Sequence, residues 1–225
     1  LLASSAASDV YKRQIIDNIL KGVDSLLGKT HMMVGIAANL ALTRPQSVAG
    51  IITAAGVGAV GALISDIDVG TSASHKEADK VVGLTVLVVI ATIALEYFTN
   101  IKLLDKVAND SGTLRIVLGV ILFVAVCAFG KEQPHRSFMH SFLALVLLDI
   151  AIGLVYVPFV PYFTIGFLSH LATDIFNRRK VRLLYPLKGG VSLNLFHAHG
   201  TANNVFFAVG SFVSAAEVGL LLLNR

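Results

Sequence analysis

HSFLALVLLDIAIGLVYVPFVPYFTIGFLSHLATDI, residues 140–175, is the stretch whose reading decides the fold. It holds two apolar runs, 140–157 and 159–175, joined by a turn at Pro158 and Pro161 where a helix cannot continue. An α-helix rises about 1.5 Å per residue and the hydrocarbon core of a bilayer is about 30 Å thick, so runs of this length are just long enough to cross. Outward from this pair lie five more apolar runs at 31–43, 47–64, 81–98, 114–130 and 204–223, separated by short polar segments. The pattern predicts an all-α, polytopic membrane helix bundle with about seven transmembrane or membrane-embedded helices. The run at 31–43 is the shortest, and Pro45 closes it. No repeat at solenoid spacing and no linker divides the sequence, so residues 15–225 read as one domain.

Composition agrees. The 225 residues are 55% hydrophobic and 14% charged, with a mean hydropathy of +0.77, which excludes an ordinary soluble domain. Disorder, collagen-like sequence and a disulfide scaffold are excluded as well, since apolar residues dominate, glycine has no three-residue period and Cys127 is the single cysteine. The net charge of +4 would raise nucleic acid as a partner of a soluble protein. Here the basic residues sit between apolar runs, so they report topology, membrane lipids are the expected surroundings and no nucleic acid is expected. The first fourteen residues, LLASSAASDVYKRQ, lack an initiator Met and an apolar signal region and differ in composition from the rest of the chain. They read as a non-native N-terminal scar, with the native chain starting near Ile15.

Lysine and arginine set the orientation. If all seven runs cross with the N-terminus inside, thirteen Lys and Arg lie inside and five outside; if 31–43 does not cross, the split is nine and nine. Without residues 1–14 the comparison is eleven to five against nine to seven. These counts favour the seven-crossing arrangement in a bacterial-type cytoplasmic (inner) membrane. It places 176–203 inside and 99–113 outside.

Ionisable groups within or against apolar runs cost several kcal/mol, so each is a functional candidate by default. His31 opens the first run, Asp66 and Asp68 follow the second, His135 and His140 bracket the start of the fifth, and His170 and Asp174 lie near the end of the sixth. Under the topology above, all seven gather at the cytoplasmic edge. His170 and Asp174, four apart, share a helix face. That spacing suits two ligands of one metal, a His oriented by its Asp, or simply a polar pair inside a bundle. His135 and His140 are five apart, about 140° around a helix, which places His135 in the loop before it. Arg136 between them could meet an anionic substrate, or be one more positive-inside residue. Asp66 and Asp68 sit at a helix C-terminus, where carboxylates oppose the macrodipole and ask for a cation. Thr30, His31 and Gly35 read as a cap, a ligand and a small residue that lets another helix approach. Four His and three Asp together fit Zn²⁺ or Mn²⁺, as one or two ions, better than Mg²⁺ or Ca²⁺. Such ions lower the pKa of bound water toward about 7, which makes hydrolysis the natural chemistry. His140, Asp68 and Arg136 are the candidates for a catalytic role beyond ligation.

Thr30-His31, Ser65-Asp66-Ile67-Asp68, HRSFMHS (135–141), HLATD (170–174) and LLYP (183–186) together resemble the YdjM-like, LexA-regulated membrane-bound metal-dependent hydrolases. That family's pattern runs His, PDIDH, HRxxxHS, HxxxD and an LLWP-like segment. The resemblance implies a hydrolase related to metal-dependent phospholipase C and nuclease folds, hence a small-molecule or lipid phosphoester substrate. Two positions depart from the pattern. Val69 replaces the His that closes PDIDH, leaving its role absent or passed to His75, and Asn204 stands where the family carries an acidic residue, with His197 and His199 nearby.

Other polar features read more simply. Asp149 and Glu217 near mid-membrane suit interhelical hydrogen bonds, Gly50, Gly56, Gly58 and Gly61 suit close helix packing, and Arg178, Arg179, Lys180, Arg182 and Lys188 suit a topology signal or anionic headgroups. The rival function is a divalent-cation transporter or channel that carries the ion as cargo. It asks for a polar path across the bilayer and paired repeats.

Overall fold

The computed structural model describes residues 28–69, 110–195 and 201–223. Among these the chain is helical without a strand: α1 Gly28–Thr43, α2 Val48–Ile64, α3 Ser111–Lys131, α4 Phe142–Tyr156, α5 Val160–Ile175 and α6 Thr201–Leu223. Each matches an expected apolar run to within a few residues. The run at 81–98 lies outside the described residues.

The helix ends obey local chemistry. Ser47 caps α2 by accepting from Gly50 N, Asp110 caps α3 by accepting from Gly112 N and Thr113 N, and Ser141 caps α4 by accepting from Ala144 N. A 3-10 turn at Ser65–Asp68 tightens the end of α2, and another at Phe138–His140 leads into α4. Thr30, expected as a cap, lies inside α1 instead and donates to Asn203 Oδ1 at 2.7 Å, tying α1 to α6.

α4 and α5 form a hairpin bent at Val157–Phe159. A straight helix would hold residues 140 and 170 about 45 Å apart, whereas the Nε2 atoms of His140 and His170 are separated by 3.2 Å. Midway along the hairpin, Thr164 Oγ1 donates to Asp149 Oδ2 at 2.9 Å, the interhelical bond expected of Asp149. With 15 and 16 residues, the arms rise about 22 and 24 Å, each less than the roughly 30 Å of hydrocarbon.

Four stretches are long and apolar enough to cross a membrane: Val48–Asp68, Ser111–Lys131, Phe142–Ile175 and Thr201–Leu223. The expected count of about seven is therefore not reached among the described residues. α1 is only 16 residues long, and two expected runs share the one hairpin stretch.

α1 packs on α2, α5 and α6, α2 packs on α5, and α3 packs on α4. The main core joins Ile67, Val126, Phe138, Met139, Leu148, Phe163 and Phe167. Leu143, Val146 and Ile150 on α4, Ile116 and Val120 on α3, and Phe212 on α6 stay exposed. Such faces are costly in water and suit lipid.

Small residues bring α1, α2 and α5 together. A methyl on Gly166 would lie 2.1 Å from Gly58 O, and one on Gly35 would lie 2.5 Å from Ala62 Cβ. Gly58 and Gly61 thus serve the packing role expected of them, while Gly56 has open space around it. Gly35, Ala62 and Gly166 are each four residues from His31, Asp66 and His170 respectively, so a layer of small residues lies one turn beneath those three side chains.

Candidate metal centre

All seven sequence-predicted site residues meet at one end of the bundle. His31 comes from the first turns of α1, Asp66 and Asp68 from the 3-10 turn after α2, His135 from the loop before α4, His140 from the turn that enters α4, and His170 and Asp174 from the last turns of α5. His31, Asp66, His140, His170 and Asp174 are buried, and only His135 keeps appreciable side-chain exposure, 22%.

Their ligand atoms form three overlapping triads: His31, His170 and Asp174; Asp66, His140 and His170; and Asp68, His135 and His140. His140 Nε2 lies 3.2 Å from His170 Nε2, 3.3 Å from Asp174 Oδ2 and 3.8 Å from Asp66 Oδ1. His170 Nε2 lies 3.7 Å from Asp66 Oδ1 and 3.9 Å from Asp174 Oδ2, and His31 Nε2 is 3.7 Å from Asp174 Oδ1. Ligands about 2.0–2.1 Å from a tetrahedral ion stand about 3.3–3.4 Å apart. The observed separations straddle and slightly exceed that spacing, so these groups could hold a metal ion.

Hydrogen bonds aim the lone pairs inward. His170 Nδ1 is 2.7 Å from Ala62 O, which can only accept, so Nδ1 carries the proton and Nε2 keeps a lone pair. His31 Nδ1 is 2.9 Å from Thr173 Oγ1, whose own proton goes to the Ser169 or His170 carbonyl. That assigns Nδ1–H to His31 as donor and leaves its Nε2 as a second lone pair. The two rings stack at 3.9 Å between centroids, 25° apart, an arrangement that favours neutral imidazoles.

His31 Nε2, Asp68 Oδ2, His140 Nδ1 and Asp174 Oδ2 are shut from solvent and make no hydrogen bond among the described residues. Buried polar atoms are nearly always satisfied, and a cation among these is one way their lone pairs could be met. The charge balance agrees. Three carboxylates (Asp66, Asp68, Asp174) face one arginine (Arg136) within the described cluster, and the difference of two negative charges equals one divalent ion. Without an ion, protons take its place. Burial opposes a charge on His140, but Asp68 and Asp174 beside it outweigh that and push its pKa up to about 10.

Asp68 and His135 form a flanking pair, with His135 Nδ1 at 2.8 Å from Asp68 Oδ1 and the His135 ring edge-on to His140, 4.9 Å between centroids. Asp68 Oδ2 also lies 3.4 Å from His140 Nδ1.

Arg136 differs from the open, substrate-facing or merely topological residue that its sequence position allowed. It is buried, with φ 64°, and its Nη2 donates to Asp174 Oδ1 at 3.3 Å while Nη1 donates to Arg179 O at 2.9 Å. Holding a non-glycine residue at positive φ costs energy that the surrounding contacts must offset. Asn204 is exposed, whereas its neighbour Asn203 is the buried residue that meets Thr30. His75, His197 and His199 lie outside the described residues. Sequence reasoning missed Thr173, Asn177 and the Ala62 carbonyl. Thr173 lies three residues after His170 on the same helix face, a signal that was present, and Asn177 Nδ2 approaches Asp174 Oδ1 at 3.4 Å.

The chain matches the YdjM inner membrane protein family over residues 26–224. It belongs to that family. No curated protein and no solved structure matches it. The family name and the apolar helices together fit an inner-membrane protein.

Proposed function

We propose that this YdjM-family protein is a membrane-embedded, metal-dependent hydrolase of a small-molecule or lipid phosphoester, working at the cytoplasmic edge of the inner membrane. His31, Asp66, His140, His170 and Asp174 hold one Zn²⁺ or Mn²⁺ ion. The observation that supports this reading is the gathering of those five buried groups into two triads that share His170, with three carboxylates beside a single arginine. A bound ion supplies Lewis acidity and an acidified water.

The chain's own residues do the rest. His170 and His31 each have one nitrogen committed to Ala62 O and Thr173 Oγ1, so each offers a single ligand atom, its Nε2. Asp68 accepts from His135 Nδ1, which leaves His135 Nε2 as the base that takes a proton from the attacking water. Arg136 keeps Asp174 oriented and balances part of its charge.

The transporter reading finds less support. Asp149 is already bonded to Thr164, and buried Phe163 and Phe167 continue the His170 face of α5 toward the bend.

The test is turnover of a soluble and a lipid phosphoester in detergent, after chelation and reloading with Zn²⁺ or Mn²⁺. Metal-restored turnover in the wild type, reduced about 10²–10⁴-fold in Asp68→Asn with the ion retained, is expected. A loaded protein that turns over no phosphoester overturns the hydrolase reading.

A further inference from the structure

The segment after α5 has a composition and position that the metal centre does not account for. Residues 176–195 contain five cations, Arg178, Arg179, Lys180, Arg182 and Lys188, and no acidic residue. Among and after them stand leucines that a water-facing loop would not display: Leu184 and Leu187, between Arg182 and Lys188, and Leu195 beyond are each 65% exposed, and Leu193 is 52% exposed.

The segment is nevertheless firmly built. Val181 and Val191 exchange backbone hydrogen bonds at 2.8 and 2.9 Å. Arg182 N donates to Arg136 O, Leu183 O accepts from Phe142 N, and Leu193 N and Leu195 N donate to the last carbonyls of the α5 region at Ile175 and Phe176. These bonds hold it across the open end of the α4–α5 hairpin. It comes after a span that ends at Ile175 and precedes another that starts at Thr201, so it lies at the membrane surface beside the candidate centre.

A concavity of about 140 Å³ opens in it, lined by Arg182, Leu184, Leu187, Lys188, Gly190 and Val191. Pockets for drug-sized molecules begin near 300 Å³. This one has room for a headgroup, not for a whole lipid.

We infer that residues 176–195 form an interfacial hook that binds the headgroup of an anionic phospholipid. Arg182 and Lys188 take the phosphate, and Leu184 and Leu187 enter the acyl boundary. Exposed apolar side chains interleaved with cations are the pattern of surfaces that lie in an anionic interface. The inference stands whether or not the metal centre hydrolyses anything.

The chain has no tryptophan, so Leu187→Trp introduces a single fluorescent reporter. This variant is placed in nanodiscs of phosphatidylcholine with a minor fraction of acyl-brominated phosphatidylglycerol or acyl-brominated phosphatidylcholine. Phe212→Trp, on an α6 position that is 75% exposed, serves as the reference. The expected result is indole quenching at 187 by the anionic lipid at about fivefold lower mole fraction than by the zwitterionic one, a preference lost in Arg182→Gln/Lys188→Gln. The reference position should respond to both lipids alike. Equal quenching by the two lipids at 187, or a preference that survives removal of both charges, overturns the headgroup site. Quenching at 187 by aqueous acrylamide but by neither lipid, while position 212 responds normally, overturns the hook altogether.

Discussion

Thr173 is not among the proposed ligands, yet its bond to Nδ1 decides which nitrogen His31 can offer. Replacing it with Val keeps the shape and removes the acceptor for His31 Nδ1–H. Loss of an orienting partner typically costs about 10–100-fold in metal affinity. Thr173→Val should therefore weaken binding by that amount while the fold persists, as measured by competition with a chelating dye. His140 yields a prediction with a sign. In the ion-free protein its pKa is raised from 6.5 to about 10. Its contribution to stability is thus complete below about pH 6.5 and disappears as pH rises through about 10. Ion binding displaces that proton, so apparent affinity should climb about tenfold per pH unit over the same window. Thermal unfolding in detergent from pH 7 to 10 should show the chelated protein losing stability while the gain from added metal widens. Parallel curves would argue that His140 does not carry the proton the ion replaces. At this scale the ligand types were legible, because His and Asp at the ends of apolar runs have few other uses. Arg136 was not, since the sequence cannot show the backbone at φ 64° that turns it inward toward Asp174.

Helix approach sets the separations of the proposed ligands. The layer of Gly35, Ala62 and Gly166 leaves no room for a larger side chain, and a Cβ at Gly166 would sit 2.1 Å from the Gly58 carbonyl oxygen. Backbone atoms cannot rotate away as a side chain can. Gly166→Val should cost about 1–3 kcal/mol through overpacking, and should lower metal content because α5 moves away from α2. Gly56→Ala, which meets nothing within 4 Å, should change neither. Melting temperature and bound metal for the two variants, side by side, check this; equal behaviour would mean that the close crossing is not what positions the ligands. Helix positions were largely readable, since apolar runs broken by Pro45, Pro158 and Pro161 mark their own ends. The 3-10 turns at Ser65–Asp68 and Phe138–His140 were not, because those few residues take their geometry from the cluster they join rather than from a periodic pattern. The bond between Thr30 and Asn203 escaped for a similar reason. It spans 173 positions and has no local signature.

For the whole molecule, the sequence foresaw that polar groups would collect at one end of an apolar bundle, and they do. The number of crossings was less legible, because two 15- and 16-residue arms can be a hairpin or two spans with the same composition. If the metal-bearing end faces the cytoplasm, a reporter fused after Lys188 should give a cytoplasmic signal and one after Lys106 an external signal. Matching signals from both would contradict the common-edge arrangement. Enzyme and transporter separate at Asp149. A centre that activates water does not need a carboxylate midway along the hairpin, whereas an ion crossing the bilayer needs a stepping stone there. Asp149→Asn should retain phosphoester hydrolysis and His140→Ala should lose it, with metal uptake into proteoliposomes unaffected by either. The most direct measurement is metal stoichiometry in the purified, folded protein after loading and removal of loosely held ions. A single-ion centre predicts one Zn²⁺ or Mn²⁺ per chain in the wild type, and occupancy lowered at least about tenfold in His170→Ala. A folded wild type that retains no divalent ion, or a His170→Ala protein that retains it in full, would contradict it.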